Sequence, residues 1–77
     1  MSEHVVITGA NRGIGLALAA QFKNRGANVT AVCRKPSPEL EGLGVAIIDG
    51  IDVTDAKARE LLAERLADDP IDILINN

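Results

Sequence analysis

Three glycines, Gly9, Gly13 and Gly15, stand between the apolar run Val5-Val6-Ile7-Thr8 and a stretch of helical periodicity. That order predicts a strand, a tight turn and a helix N-terminus. Gly9 ends the strand where the chain must bend sharply, and glycine permits backbone angles that a Cβ forbids. Gly13 leaves room for a pyrophosphate to approach the main chain. Gly15 lets the first helical turn pack on the strand. The free N–H groups of such a turn, with the positive end of the helix dipole, favour a phosphate. The spacing G-x-x-x-G-x-G differs from the G-x-G-x-x-G dinucleotide fingerprint but serves similar needs. A Walker-type loop is disfavoured, because no Gly-Lys-Ser/Thr follows. A turn with no ligand is the alternative, and the strand before it and helix after it weigh against that.

The remaining chain reads as further strands and helices that hold this turn. His4 to Thr8 is an uninterrupted β-rich run, as expected for a parallel strand covered on both faces. A helix follows from about Arg12 to Arg25, with Ile14, Ala17, Leu18, Gln21 and Phe22 as its apolar stripe and Gly26 as its stop. Asn28 to Cys33 is the second strand. Prolines and glycines between Arg34 and Gly44 allow only a short helical turn, with Ser37 as cap and Pro38 first. Val45 to Ile48 is the third strand. Thr54 is expected to cap a second long helix whose stripe is Ala58, Leu61, Leu62, Arg65 and Leu66, ended by Asp68-Asp69-Pro70. Ile71 to Ile75 is the fourth strand. Alternation of this kind gives an α/β fold with a parallel sheet. The expected strand order is 3-2-1-4 with helices on both faces, the N-terminal half of a Rossmann fold. Residues 1–77 then form one partial dinucleotide-binding domain. Its ligand crevice lies where the strand order reverses, at the carboxyl ends of the first and fourth strands.

Thr8-Gly9-Ala10-Asn11-Arg12-Gly13-Ile14-Gly15 resembles the T-G-x-x-x-G-I-G cofactor loop of the short-chain dehydrogenase/reductase family. Asp52-Val53 is similar to that family's adenine-contacting Asp-Val pair, and Asn76-Asn77 to the first half of its N-N-A-G motif. The Gly-Ala-Asn-Arg-Gly-Ile-Gly-Leu wording and the Asp-Val-Thr-Asp run resemble C-factor/sniffer-like carbonyl reductases. The resemblance implies that Gly9, Asn11, Arg12, Gly13, Ile14 and Gly15 cradle the cofactor. It implies that Asp52 accepts from the adenine amino group with Val53 beside the ring, and that Asn76 lines the crevice and ties the fourth strand to its neighbours. Hydride transfer between a nicotinamide cofactor and a carbonyl or alcohol is the implied activity. The family performs it with an Asn-Ser-Tyr-Lys set whose Ser and Tyr-x-x-x-Lys lie beyond the N-N-A-G motif. This chain has no tyrosine, so no catalytic proton donor of that kind is among its residues, and the domain stops before the catalytic segment.

Charge decides between the two cofactor forms. A carboxylate at the end of the second strand would hydrogen-bond ribose hydroxyls, whereas a 2′-phosphate needs cations. That position holds Cys33, followed by Arg34 and Lys35, and Arg12 can reach the same corner. This favours NADP(H), with NAD(H) still possible, since planar guanidinium groups suit phosphate. A merely solvated Arg34-Lys35 loop is the other reading.

The formal net charge of −3 and a single aromatic residue, Phe22, give a nucleic-acid partner no support. No apolar run approaches the ~20 residues a membrane span requires. Met1-Ser2-Glu3 carries no basic leader, so a cytoplasmic location is expected. The lone cysteine, Cys33, excludes an intrachain disulfide and is expected to be buried and free. The lone histidine, His4, is expected at the surface or a strand edge, and no metal site is expected. Two accounts of the whole stay open. One is the NADP(H)-binding portion of a longer reductase, with a small carbonyl substrate only in the full-length form. The other is a stand-alone, non-catalytic nucleotide-binding or homo-oligomeric module. In either, a four-stranded half sheet leaves an unpaired edge, so the isolated chain is expected to associate with itself.

Overall fold

The computed structural model describes residues 3–52, 54–67 and 70–77. The elements run β1 (His4–Thr8), α1 (Gly13–Asn24), β2 (Asn28–Val32), α2 (Pro38–Gly42), β3 (Ala46–Ile48), α3 (Ala56–Leu66) and β4 (Ile73–Ile75). The strands form one sheet in the order β3-β2-β1-β4, and every pairing is parallel. This is the expected half-Rossmann arrangement.

β1 is buried along its whole length because it lies between β2 and β4 and is covered on both faces. Alternate side chains of a strand point to opposite faces. Val5 and Ile7 accordingly join Ala31, Ala19 of α1 and Leu40 of α2 in one core, with Leu18 and Phe22 against it. Val6 joins Val32, Ile51 and Ala58 of α3 in the other, with Leu62 and Leu66 against it. The helices α1 and α2 thus cover one face and α3 the opposite one. Each fully buried aliphatic side chain contributes roughly 1.5–3 kcal/mol of burial free energy, so the two small clusters rest mainly on β1 and β2.

α1 is turned relative to its expected stripe. Gly15 and Ala19 are its buried residues, while Ile14 is 73% exposed and Ala17 and Gln21 face solvent. Close contact at Gly15 sets this rotation, as described below. α2 is the short turn expected. Ser37 caps it by accepting from the Leu40 amide, and Pro38 opens it. The cap of α3 is Asp55, which accepts from the Lys57 amide, one residue later than expected. Thr54 is occupied elsewhere, as a donor to Asp52. Leu61 lies off the packed stripe of α3, 56% exposed. The expected stop at Asp68-Asp69-Pro70 falls partly outside the described residues.

His4 is buried, contrary to the sequence expectation, at 4% exposure. A residue opening a central strand is enclosed by both neighbours, and here they satisfy its ring. Nδ1 lies 2.9 Å from the Pro70 carbonyl oxygen. A carbonyl can only accept, so Nδ1 carries the proton. Nε2 then accepts from the Thr30 hydroxyl at 2.8 Å. The His4 amide donates to the Asp72 carboxylate, and the Asp72 amide donates to the His4 carbonyl. These bonds fasten the approach to β4 onto β1 and set the β4 register.

Replacing His4 with leucine strands the buried Thr30 hydroxyl and the Pro70 carbonyl. The expected loss is about 1–3 kcal/mol of unfolding free energy, read by urea denaturation. Adding Thr30→Val recovers part of it, because removing both partners of a buried bond costs less than removing one.

Candidate functional site

The crevice opens at the carboxyl end of the sheet. Gly9 and Gly13 adopt positive φ angles of 63° and 58°, which side-chain-bearing residues rarely take. A Cβ on Gly13 would meet only open space, so Gly13 supplies the bend and leaves the turn uncovered. A Cβ on Gly15 would be driven into the Gly9 carbonyl oxygen. Only glycine allows α1 to start that close to the end of β1. The amide of Ala10 is tied back to the Val32 carbonyl at 3.4 Å.

No side chain caps α1 at Arg12. Its first amide bond runs from Leu16 to the Arg12 carbonyl. The other two described helix starts differ, since Ser37 caps α2 and Asp55 caps α3. The open start of α1 faces the crevice, which Gly9, Gly13 and Ile14 line. An uncapped N-terminus offers amide donors and the positive end of the helix dipole to an anion.

The opposite wall comes from the loops after β2 and β3. Ladder bonds continue past both strand ends: Cys33 N to Ile48 O, Ile51 N to Cys33 O and Gly50 N to Arg34 O. This extension carries Asp52 across to Arg34, where a guanidinium nitrogen and a carboxylate oxygen stand 3.9 Å apart on side chains 76% and 42% exposed. The Thr54 hydroxyl donates to Asp52 Oδ1 at 2.6 Å and the Thr54 amide at 3.0 Å. The hydroxyl bond, then the amide bond, and more weakly Arg34 hold the Asp52 carboxyl below its ordinary value. Cys33 sits on the crevice floor, 4% exposed. Burial pushes its thiol up, with Asp49 adding to the effect.

Of the residues singled out in the sequence, the structure brings Gly9, Asn11, Arg12, Gly13, Ile14, Arg34 and Asp52 around one crevice. Gly15 lies behind the turn, against Gly9. Val53 is outside the described residues. Asn76 Oδ1 accepts from the Thr8 hydroxyl at 3.2 Å. The crevice itself is reached by Asn77, whose side chain donates to the Gly9 carbonyl and whose amide donates to Thr8 Oγ1, each at 3.1 Å. Sequence reading did not single out Asn77, Val32 or Ile51 as lining residues. The continued ladder that places Ile51 has no local sequence signal, whereas the Asn76-Asn77 pair was visible and only the choice between its members was not. Among the described residues no three His, Cys, Asp or Glu side chains cluster as a metal site would require. No described helix is long and apolar enough to cross a membrane.

Residues 3–77 match the family profile for short chain dehydrogenases. The chain belongs to the short-chain dehydrogenase/reductase family. Among its relatives, 1-deoxy-11-beta-hydroxypentalenate dehydrogenase of Streptomyces arenae is 42% identical over 84 residues, covering 94% of this chain and 29% of the relative. A carbonyl reductase of Pseudomonas aeruginosa, solved in complex with NADP, superposes with a TM-score of 0.92 at 39% identity over 100% of this chain and 36% of that one. L-Sorbose reductase of Gluconobacter frateurii, solved with NADPH and L-sorbose, gives a TM-score of 0.78 at 30% identity over 99% and 33%. The 77 residues therefore span about a third of the length of these family members.

Because its pKa is lowered by folding, Asp52 favours the native state most fully above the ordinary carboxylate value. That contribution disappears as the pH falls through the lowered native value. Thr54→Val removes the hydroxyl donor, and the Asp52 carboxyl titration, followed by carbon-detected NMR, is expected to move up toward the ordinary value.

Proposed function

We propose that this chain is the NADP(H)-binding portion of an oxidoreductase that transfers hydride between NADPH and a carbonyl or alcohol substrate. The observation that carries the reading is the uncapped start of α1 in a crevice that also holds Arg12, Arg34 and Lys35. The amides of Gly13 to Gly15 would take the diphosphate, with Gly9 and Gly13 keeping its approach clear. Asn11 and Ile14 would flank it. Arg34, with Arg12 and Lys35, would bind the ribose 2′-phosphate, where guanidinium groups match phosphate oxygens. Asp52, held as a carboxylate by Thr54 and Arg34, would accept from the adenine amino group, with Val53 alongside. Asn76 and Asn77 would fix the edge of the crevice nearest β4. The NADP and NADPH bound to the two structural neighbours support this reading.

Bound here, the cofactor would supply the hydride. The chain's own residues would bind and orient it. Proton transfer to the substrate would fall to the remainder of a full-length protein, because these residues include no tyrosine. The cytoplasm is the compartment this reading assigns. β4 is an edge strand of the sheet, and Leu74, on the face that carries α3, is 60% exposed, which supports association of the isolated chain with a second copy.

Calorimetric titration with NADPH and NADH tests the assignment. Tighter binding of NADPH is expected. A charge-assisted hydrogen bond is worth about 1.5–3 kcal/mol, or roughly 10- to 100-fold in affinity, and Arg34→Asp is expected to reduce the NADPH preference by about that factor. Equal affinity for the two cofactors in the folded wild-type chain contradicts the 2′-phosphate assignment.

A further inference from the structure

Asn11 and Ser37 make a lock between the two loops that carry the cations. The Asn11 side-chain amide donates to the Lys35 carbonyl at 3.2 Å. In return, the Ser37 hydroxyl donates to the Asn11 carbonyl. Ser37 Oγ also accepts from the Leu40 amide at 3.2 Å, and the Leu40 side chain is fully buried. An unbroken series of contacts therefore runs from the core through Leu40 and Ser37 to Asn11. Arg12 is the next residue after Asn11, and Arg34 is the residue before Lys35. The glycine turn and the loop after β2 are fastened to each other one residue from each guanidinium-bearing position. Ser37 is half-buried and does not itself line the crevice.

We propose that Ser37 is a specificity-determining positioning residue, which favours the 2′-phosphorylated cofactor by holding the Arg34 loop at a fixed distance from the Arg12 turn. The inference rests on the dinucleotide reading above and adds to it a residue outside the crevice. A ligand with a 2′-phosphate must engage both loops, whereas one without it draws mainly on the turn and the start of α1. Ordering a loose loop on binding costs conformational entropy, and a loop already held avoids that cost. Loss of the lock therefore penalises the phosphorylated ligand selectively.

The test is the affinity of the full chain for NADP⁺ and for NAD⁺, by calorimetry, in wild type, Ser37→Ala, Ser37→Gly and Ser37→Thr. Glycine is tolerated as a helix N-cap nearly as well as serine, so Ser37→Gly removes the Ser37–Asn11 bond of the lock, leaves the Asn11–Lys35 bond, and keeps α2 capped well enough to fold. Removing one hydrogen bond is expected to weaken NADP⁺ binding about fivefold, equivalent to ~1 kcal/mol. NAD⁺ affinity is expected to change less than about twofold. Ser37→Thr, which keeps the hydroxyl, restores the preference. A folded Ser37→Gly chain with unchanged NADP⁺ affinity, or with equal losses for both ligands, overturns the inference and leaves the dinucleotide reading standing. A folded wild-type chain that binds neither ligand removes that reading, and this inference with it.

Discussion

The absent side chain at Gly15 is the constraint on which the site depends. Because nothing projects from that residue, the first turn of α1 settles against the Gly9 carbonyl. That contact fixes where the helix starts and how it is rotated about its axis. It buries the Gly15–Ala19 face and turns Ile14 outward into the crevice. It also leaves the amides at the helix start facing the carboxyl end of the sheet, where no side chain among the described residues takes them up. The same helix shifted outward by a methyl group would lose its packing on β1 and β2 and its aim together.

A second dependence runs through the sheet. β1 sits centrally, its odd and even residues feeding two separate cores. At its start His4 fastens the approach to β4, and at its end Thr8 and Gly9 receive Asn76 and Asn77. The bonds at both ends of β1 hold β4 in one register, and that register puts an asparagine side chain on the Gly9 carbonyl. On the other flank, the β2–β3 ladder runs on past the strand ends and brings Asp52 to Arg34. The crevice is thus a consequence of strand pairing as much as of the glycine turn.

The strands and the trimmed α2 could be read from local signals, namely β-branched runs, glycine and proline punctuation, and a Ser-Pro cap, whereas the parallel sheet and its strand order followed from the Rossmann pattern that the strand–helix alternation and the glycine turn imply. The rotation of α1 could not. Its periodicity permits two neighbouring stripes, and the choice is made by the close approach of Gly15 to the Gly9 carbonyl, which no stripe of apolar residues announces. The cap of α3 shifted from Thr54 to Asp55 because Asp52 competes for Thr54, a contest between neighbours with similar capping strength. His4 reads as a terminal polar residue until β4 is known to close over it. The cations at Arg12 and Arg34 were visible as types, but the Asn11–Ser37 lock between their loops joins residues 26 apart in sequence and needed the fold to be seen.

The proposed role of the open α1 start is to receive a diphosphate. The most direct measurement is a titration of the isotopically labelled chain with ADP-ribose, which has the diphosphate and lacks the nicotinamide, followed by amide NMR. Saturable shifts are expected at Gly13, Ile14 and Gly15, while the Lys57 amide at the start of α3, already taken by Asp55, stays in place. A folded chain whose Gly13–Gly15 amides do not respond, or respond no more than Lys57, contradicts it.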